Sequence, residues 1–256
     1  MDPTTAMYIS QGIHGLVYGM VLFLVASGLN MIFGMMGILN LAHASFFMLS
    51  AYLSYQVLAV TGNFWLALAV APVITAFFGV ILERFFLRKI HGSGHIGELI
   101  LTMGIALIIL ATVKIFWGTE NLPVKVPPQL DGLVHFWGME YPLYRLFVIG
   151  MAVLVLAIML GLLYKSRLGK IVRAAVSDAD MVNALGVNIP LVFMLVFGIG
   201  TWLAGVAAVV IAPILTVFPG LADQVGMDAF VVVVTGGFGS LLGAFIVSIL
   251  FGLLNA

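Results

Sequence analysis

The chain has 256 residues, of which 63% are hydrophobic and 8% are charged, and its formal net charge is zero. Soluble domains carry about 25% charged residues, so this composition excludes an ordinary soluble fold. The zero net charge provides no basic surface for nucleic acid, and the absence of cysteine excludes disulfides, thiolate metal sites and a cysteine nucleophile.

Apolar runs along the chain predict a bundle of transmembrane helices. Between Pro3 and Leu82 there is no Asp, Glu, Lys or Arg, which is long enough for three crossings of roughly 20 residues each. Backbone groups in hydrocarbon need internal partners, so unbroken runs of this length favour helices. The predicted helices cover 12–33, 38–58, 64–83, 98–117, 143–164 and 190–212, and a broken apolar region covers 223–256. We expect one all-α polytopic domain over 1–256.

Two polar residues stand out in the first apolar runs. Asn40 and His43 follow Gly34 and Gly37, which loosen a helix and allow close approach of backbones. A polar side chain at membrane depth is unfavourable unless it is paired or lines water. Asn40 and His43 therefore either line a translocation path or hydrogen-bond a neighbouring helix. The same two interpretations apply to His14 and Asn30.

The basic residues predict the orientation of the chain. Seven of the ten Lys and Arg residues lie in two loops: Arg84, Arg88 and Lys89 in the first, and Lys165, Arg167, Lys170 and Arg173 in the second. Basic residues of short loops remain in the cytoplasm, so both loops are expected there. Two predicted helices separate these loops, and an even number of crossings places both loops on the same side of the membrane. Residues 118–142 and the N-terminus are then outside, with Trp117 and Trp137 in an aromatic belt.

The polar segment 165–189 is patterned as a short cytoplasmic helix. Apolar residues recur at helical spacing at Val172, Ala175, Ala179, Val182 and Leu185. Gly186 is expected to end this helix, and Pro190 to begin the next span, where its missing N–H is not needed. Small side chains suit a helix that docks into a groove of a partner protein. A plain structural loop fits the pattern as well.

Glycines interrupt the last apolar run. Gly236, Gly237 and Gly239 divide it and predict a broken or re-entrant helix, which either faces a cavity or packs tightly against a neighbour. A phosphate-binding loop is excluded because no Lys stands in place and no soluble strand precedes. Asp223 and Asp228 are interpreted as solvated loop ends and not as a catalytic or metal-binding pair.

Three separated stretches resemble the permease subunits of bacterial branched-chain amino acid ABC importers. They are Gly37–Tyr52, in which Ala44 stands where the family usually has Gly, then Arg173–Ile189, and then the glycine-rich Ala229–Ala244. The three occur in the family's order, and the resemblance covers about 15–252. Family members usually continue past the position of Ala256, which leaves open a last span beyond this chain.

The resemblance implies a subunit that forms half of the translocation path of an ATP-driven importer in the bacterial inner membrane. The chain itself would bind no cofactor or metal and catalyse nothing. The implied partners are two ATP-binding cassette subunits carrying ATP and Mg, a second permease subunit, identical or homologous, and a periplasmic solute-binding protein. The residues implied in coupling to the ATPase are Arg173, Ala174, Asp178, Asn183, Ala184 and Gly186.

The main alternative is an ion-coupled secondary transporter of a small neutral or zwitterionic solute. Such carriers typically have acidic residues within their spans, and none occurs between Pro3 and Leu82. An intramembrane enzyme lacks support in the sequence, which shows no paired acid and base and no HExxH motif. A path lined by apolar residues and glycine would suit branched-chain or related amino acids better than a highly charged solute.

Overall fold

The structure, a computed structural model, describes residues 3–90, 94–136 and 139–256. The centre of the first basic loop (91–93) and the predicted belt residue Trp137 lie outside the described residues. Eleven α-helices occur in the described ranges: α1 Pro3–Met36, α2 His43–Thr61, α3 Phe64–Leu82, α4 Arg88–Ile90, α5 His95–Trp117, α6 Leu143–Leu160, α7 Arg167–Ser177, α8 Ala179–Ala184, α9 Ile189–Ile211, α10 Leu221–Gly236 and α11 Leu241–Leu254.

Six of the helical stretches described are long and apolar enough to cross a membrane, which confirms the predicted polytopic helical bundle. Two of them are extended by π-helical turns, Glu83–Leu87 after α3 and Gly161–Lys165 after α6. The predicted start of the second span at residue 38 is wrong, because 37–42 is not helical and α2 begins at His43.

Short polar side chains fix where several helices begin. The Oδ1 atom of Asn63 accepts from the N–H groups of Trp65 and Leu66 at the start of α3. Ser166 and Ser240 accept in the same way at the starts of α7 and α11. The first N–H groups of a helix have no partner within it, so these side chains define the helix boundaries.

The core of the bundle lies around α1 and α9. In its most apolar window α1 is 83% buried, against 17% for α5 and 22% for α6. Large apolar side chains such as Phe77, Ile108 and Leu154 are instead exposed on α3, α5 and α6. Exposed apolar surface of this extent suits contact with lipid, which fits three helices at the periphery of a membrane bundle.

The last two helices form a hairpin that packs on α1. A Cβ atom added to Gly15 would lie 2.7 Å from the carbonyl oxygen of Gly252, and one added to Gly239 would lie 3.2 Å from the Cα atom of Gly34. These contacts make α11 antiparallel to α1 and require glycine, because the two backbones touch. Residues 237–240 separate α10 from α11. Whether this hairpin is re-entrant in a bilayer stays a prediction.

Two regions outside the six long helical stretches differ from the prediction: the segment after α5 and the start of α10. The segment after α5 contains an antiparallel hairpin of strands β1 (Leu133–Phe136) and β2 (Met139–Pro142), which was not predicted. The interpretation of Asp223 and Asp228 as loop ends is wrong, because both lie within α10. Asp228 is half-buried, and its Oδ2 atom accepts a 2.5 Å hydrogen bond from the hydroxyl of Tyr18. The polar first turns of α10 resemble a loop in sequence.

Candidate functional site

The non-helical segment between α1 and α2 is organised by Asn40. Its Oδ1 atom accepts from the N–H of Ala42 at 3.1 Å, and its carbonyl oxygen accepts from the N–H of His43 at 3.1 Å. An Asn side chain that bonds the backbone two residues later forms a local turn, which competes with helix. This turn ends the non-helical segment 37–42 and brings His43 into the first turn of α2.

His43 and Asn40 each keep one polar atom without a partner in the part of the chain that the structure describes. The Nε2 atom of His43 lies 3.2 Å from the carbonyl oxygen of Val25. A carbonyl oxygen only accepts, so Nε2 carries the proton and Nδ1 is left as an acceptor. This Nδ1 atom and the donor Nδ2 of Asn40 are buried without partners. A buried unpaired donor and acceptor are unfavourable, which marks this position as unusual.

Both residues line one cavity between α2, α5 and α10, with a volume of about 410 Å³. Its walls are mainly apolar and include Leu29, Met103 and Phe230, and Asp223 is its charged lining residue. We refer to it as the Asn40–His43 cavity. An apolar cavity with a few convergent polar groups is the usual form of a small-molecule site.

The three predicted path glycines do not line this cavity. Gly236 packs against α11, where an added Cβ would lie 2.6 Å from the backbone nitrogen of Ala244. Gly237 and Gly239 have φ angles of 87° and 79° and form the turn between α10 and α11. The N–H of Gly239 donates to Oδ1 of Asn30 at 2.7 Å. In this conformation these glycines serve packing and the turn.

A second cavity, of about 390 Å³, lies where the α10–α11 turn faces α7. Its lining includes Asn30 and Gly239 on one side and Val172 and Arg173 of α7 on the other. The turn that was predicted as path therefore lies across this cavity from the predicted coupling segment, 165–189, and does not border the Asn40–His43 cavity.

The predicted coupling segment forms two helices, α7 and α8, so the prediction of a single helix is wrong. Asp178 is extended, and its Oδ1 atom accepts from the N–H of Met181 at 2.9 Å, which ends α7 and caps α8. Val172, Ala175 and Val182, part of the apolar face expected to dock on a partner, are instead buried within this chain, whereas Leu185 is 76% exposed. The side chains of Ala179 and Asp180 are outside the described set.

The end of the segment matches the prediction. Gly186 has a φ of 86°, and its N–H donates to the carbonyl oxygen of Asn183 after α8. Asn188 then caps α9, with Pro190 in the first helical turn. Ala175 and Val182 pack together with Ile189, so the start of α9 holds α7 and α8 in place.

The candidate coupling residues are exposed. They are Arg173, Ala174, Asp178, Asn183, Ala184 and Gly186. Val176, Met181 and Leu185 are large apolar side chains that are more than half exposed in the same segment. An exposed apolar surface on polar, non-spanning helices is typical of a protein interaction site.

His14, the remaining polar candidate, is exposed and lies near the end of α1 distant from Gly34. It contacts the Arg145 guanidinium, and its ring centroid is 5.7 Å from that of Tyr141. His14 therefore belongs to a group distinct from the Asn40–His43 cavity. Within the described ranges, no group of three or more His, Asp or Glu side chains is placed to hold a metal ion.

Comparison with known proteins decides the family. Residues 12–256 match the family described as the branched-chain amino acid transport system permease component. The chain belongs to this family. The high-affinity branched-chain amino acid transport system permease protein BraD of Pseudomonas aeruginosa is 29% identical to this permease, over 99% of the permease and 87% of BraD.

Two further relatives carry the name LivH. The Escherichia coli K12 protein is 29% identical over 97% of this permease and 85% of its own length. The probable branched-chain amino acid transport permease protein of Methanocaldococcus jannaschii is 24% identical over 91% of this permease and 77% of its own length. No solved structure gives a significant match.

Arg173 of the permease connects α7 to the bundle. Its guanidinium donates to the carbonyl oxygen of Leu163 and lies 5.3 Å from the centroid of the Tyr164 ring. Leu163 and Tyr164 belong to the π-helical end of α6, where free carbonyl groups favour a cation. Arg173 thus ties α7 to a membrane-spanning helix of the same permease.

Proposed function

We propose that this permease is the membrane-spanning subunit of an ATP-driven importer of branched-chain or related amino acids. The observation that carries the proposal is the family match over 12–256. The exposed apolar side chains of α7 and α8 support it, because they offer a surface on which a soluble subunit can dock. ATP and Mg would be bound by two partner ATPase subunits.

In the proposed mechanism, closure of the ATPase subunits pushes on α7 and α8. Arg173 passes this displacement to α6 through Leu163 and Tyr164. Ala175 and Val182, packed with Ile189, pass it to α9 in the core. Rigid-body motion of packed helices then opens the path to one side of the membrane at a time.

The proposed assembly has further partners on the periplasmic side and within the membrane. The two basic loops favour a cytoplasmic position for α7 and α8 and a periplasmic N-terminus in the bacterial inner membrane. The segment 118–142, on the other side, would receive a periplasmic solute-binding protein. A second permease subunit, identical or homologous, would complete the path.

One observation favours the alternative of an ion-coupled carrier. Glu83 and Glu98 are 2% and 3% exposed and lie in the stretches Phe64–Ile90 and His95–Trp117, both long enough to span a membrane. Buried acidic groups of this kind occur in ion-coupled transporters. The two functions differ in their energy source, which makes them separable by experiment.

The experiment is affinity purification of the tagged permease from its native membranes, followed by reconstitution into vesicles. We expect proteins with Walker motifs to co-purify and uptake of labelled leucine to require enclosed ATP and to survive an ionophore. Uptake driven by an ion gradient without ATP would establish the alternative.

The coupling role predicts that Arg173→Glu separates ATP hydrolysis from transport. A carboxylate would face the carbonyl groups at the end of α6 and detach α7 from it. We expect ATP hydrolysis to continue while leucine uptake falls about tenfold, measured as ATP consumed per leucine in vesicles. Ala184→Trp, which places a bulky ring on the exposed segment, should act in the same direction. The matched control is Arg167→Glu, since Arg167 is exposed, and normal coupling in Arg173→Glu would contradict the assignment.

A further inference from the structure

We infer that the Asn40–His43 cavity binds the zwitterionic head group of a neutral aliphatic amino acid. In this arrangement Nδ2 of Asn40 donates to the carboxylate of the solute, and Nδ1 of His43 accepts from its ammonium group. The inference rests on the proposed function and adds to it the place where the solute binds and the atoms that recognise it.

The hydrogen-bonding pattern of the two residues supplies the first argument. Asn40 uses Oδ1 within its own turn and His43 uses Nε2 on Val25, so each side chain is fixed by one bond. What remains is one donor nitrogen on Asn40 and one acceptor nitrogen on His43, three positions later in the sequence, both unpartnered in the described chain. An amino acid head group has one acceptor group and one donor group, so it satisfies both atoms together.

The walls of the cavity supply the second argument. A volume of about 410 Å³ lies within the range of small-molecule pockets, roughly 300–1,000 Å³. Apolar groups such as Leu29, Met103 and Leu107 surround the polar pair and would cover an aliphatic side chain. Asp223 would repel a second carboxylate on the solute. A neutral zwitterion with an aliphatic side chain matches these features best.

The two recognising atoms are covered in this conformation, since each exposes less than 1 Å². On one side α2 packs against α10, where a Cβ added to Gly226 would lie 2.6 Å from the Cβ of Ala44. Separation of these two helices would uncover Asn40 and His43. Binding of the head group would therefore require α10 and α2 to separate.

The test is Asn40→Asp in the vesicle-reconstituted complex with its solute-binding protein. Asp keeps the acceptor for Ala42 N–H and nearly the same volume, but it replaces the donor by an oxygen that repels the carboxylate. We expect ATP-driven leucine uptake to fall at least about tenfold, the effect of losing a hydrogen bond to a charged group. Stimulation of ATP hydrolysis by the loaded binding protein should persist.

Asn63→Asp is the matched control, because the same exchange at the start of α3 preserves its capping acceptor outside the cavity. It should transport as the unchanged permease does. Wild-type uptake by Asn40→Asp would overturn the inference and leave the proposed function intact. Absence of ATP-driven amino acid uptake in the unchanged complex would overturn the proposed function itself.

If Asn40→Asp does not assemble, a pair of His43 variants tests whether the Nδ1 atom of His43 binds the solute. His43→Gln can keep the donor to Val25 and lacks an acceptor at the position of Nδ1, whereas His43→Asn has an oxygen near that position. We expect uptake to be lower in His43→Gln than in His43→Asn. Equal uptake in the two variants would overturn the role of Nδ1.

Discussion

At the scale of single residues, Ala44 shows how a departure from the family pattern is accommodated. By resemblance to the family, Gly is expected after His43, and here the methyl group of Ala44 lies against Gly226 of α10. The space that a glycine would leave on α2 is thus provided by a glycine on α10. The backbones of α2 and α10 can approach at this point only if one of the two positions lacks a side chain.

This pairing predicts the outcome of exchanging the two residues. Gly226→Ala would place two Cβ atoms 2.6 Å apart and should destabilise the permease by about 1–3 kcal/mol through overpacking. Ala44→Gly added to Gly226→Ala should restore most of the stability. Thermal unfolding of the detergent-solubilised single and double variants measures both effects. A double variant less stable than Gly226→Ala would show that the two positions are not coupled.

At the scale of elements, the break between α7 and α8 depends on one side chain. Asp178→Ala removes the acceptor for Met181 N–H and should destabilise α8 by about 1 kcal/mol. We expect faster amide hydrogen exchange over Met181–Ala184 and unchanged exchange in α9. Asp178→Asn is the control, because an amide oxygen caps a helix as well. Unchanged exchange in Asp178→Ala would mean that packing alone holds α8.

The same elements show what sequence could and could not predict. The spans were predictable because long apolar runs have few other stable conformations in a membrane. The break at Asp178 was not predictable, because a capping Asp and an exposed helical Asp look alike in sequence. Asn40 and His43 were predicted as candidates from their polarity alone. The contacts of Tyr18 with Asp228 and of Asn30 with Gly239 join residues 210 and 209 positions apart, which no local pattern reveals.

At the scale of the whole molecule, the orientation can be tested directly because the chain contains no cysteine. Ser177→Cys and Thr119→Cys place single thiols at exposed positions in α7 and in the segment after α5. An impermeant thiol reagent added to intact cells should label Thr119→Cys, and Ser177→Cys only after the membrane is opened. Labelling of Ser177→Cys in intact cells would place α7 outside and refute the coupling role.

The cavity of about 390 Å³ between α7 and the α10–α11 turn bears on how force enters the bundle. Val172 and Arg173 line this space opposite Gly239, so α7 has free volume on that side of the bundle. The first part of an inward displacement of α7 would therefore reach α6 and α9 through their direct contacts and leave the α10–α11 turn unmoved. Only a larger stroke would reach Gly239 and Asn30. The gap would delay the response of the α10–α11 turn, so that this turn follows only large displacements of α7 while α6 and α9 follow small ones as well.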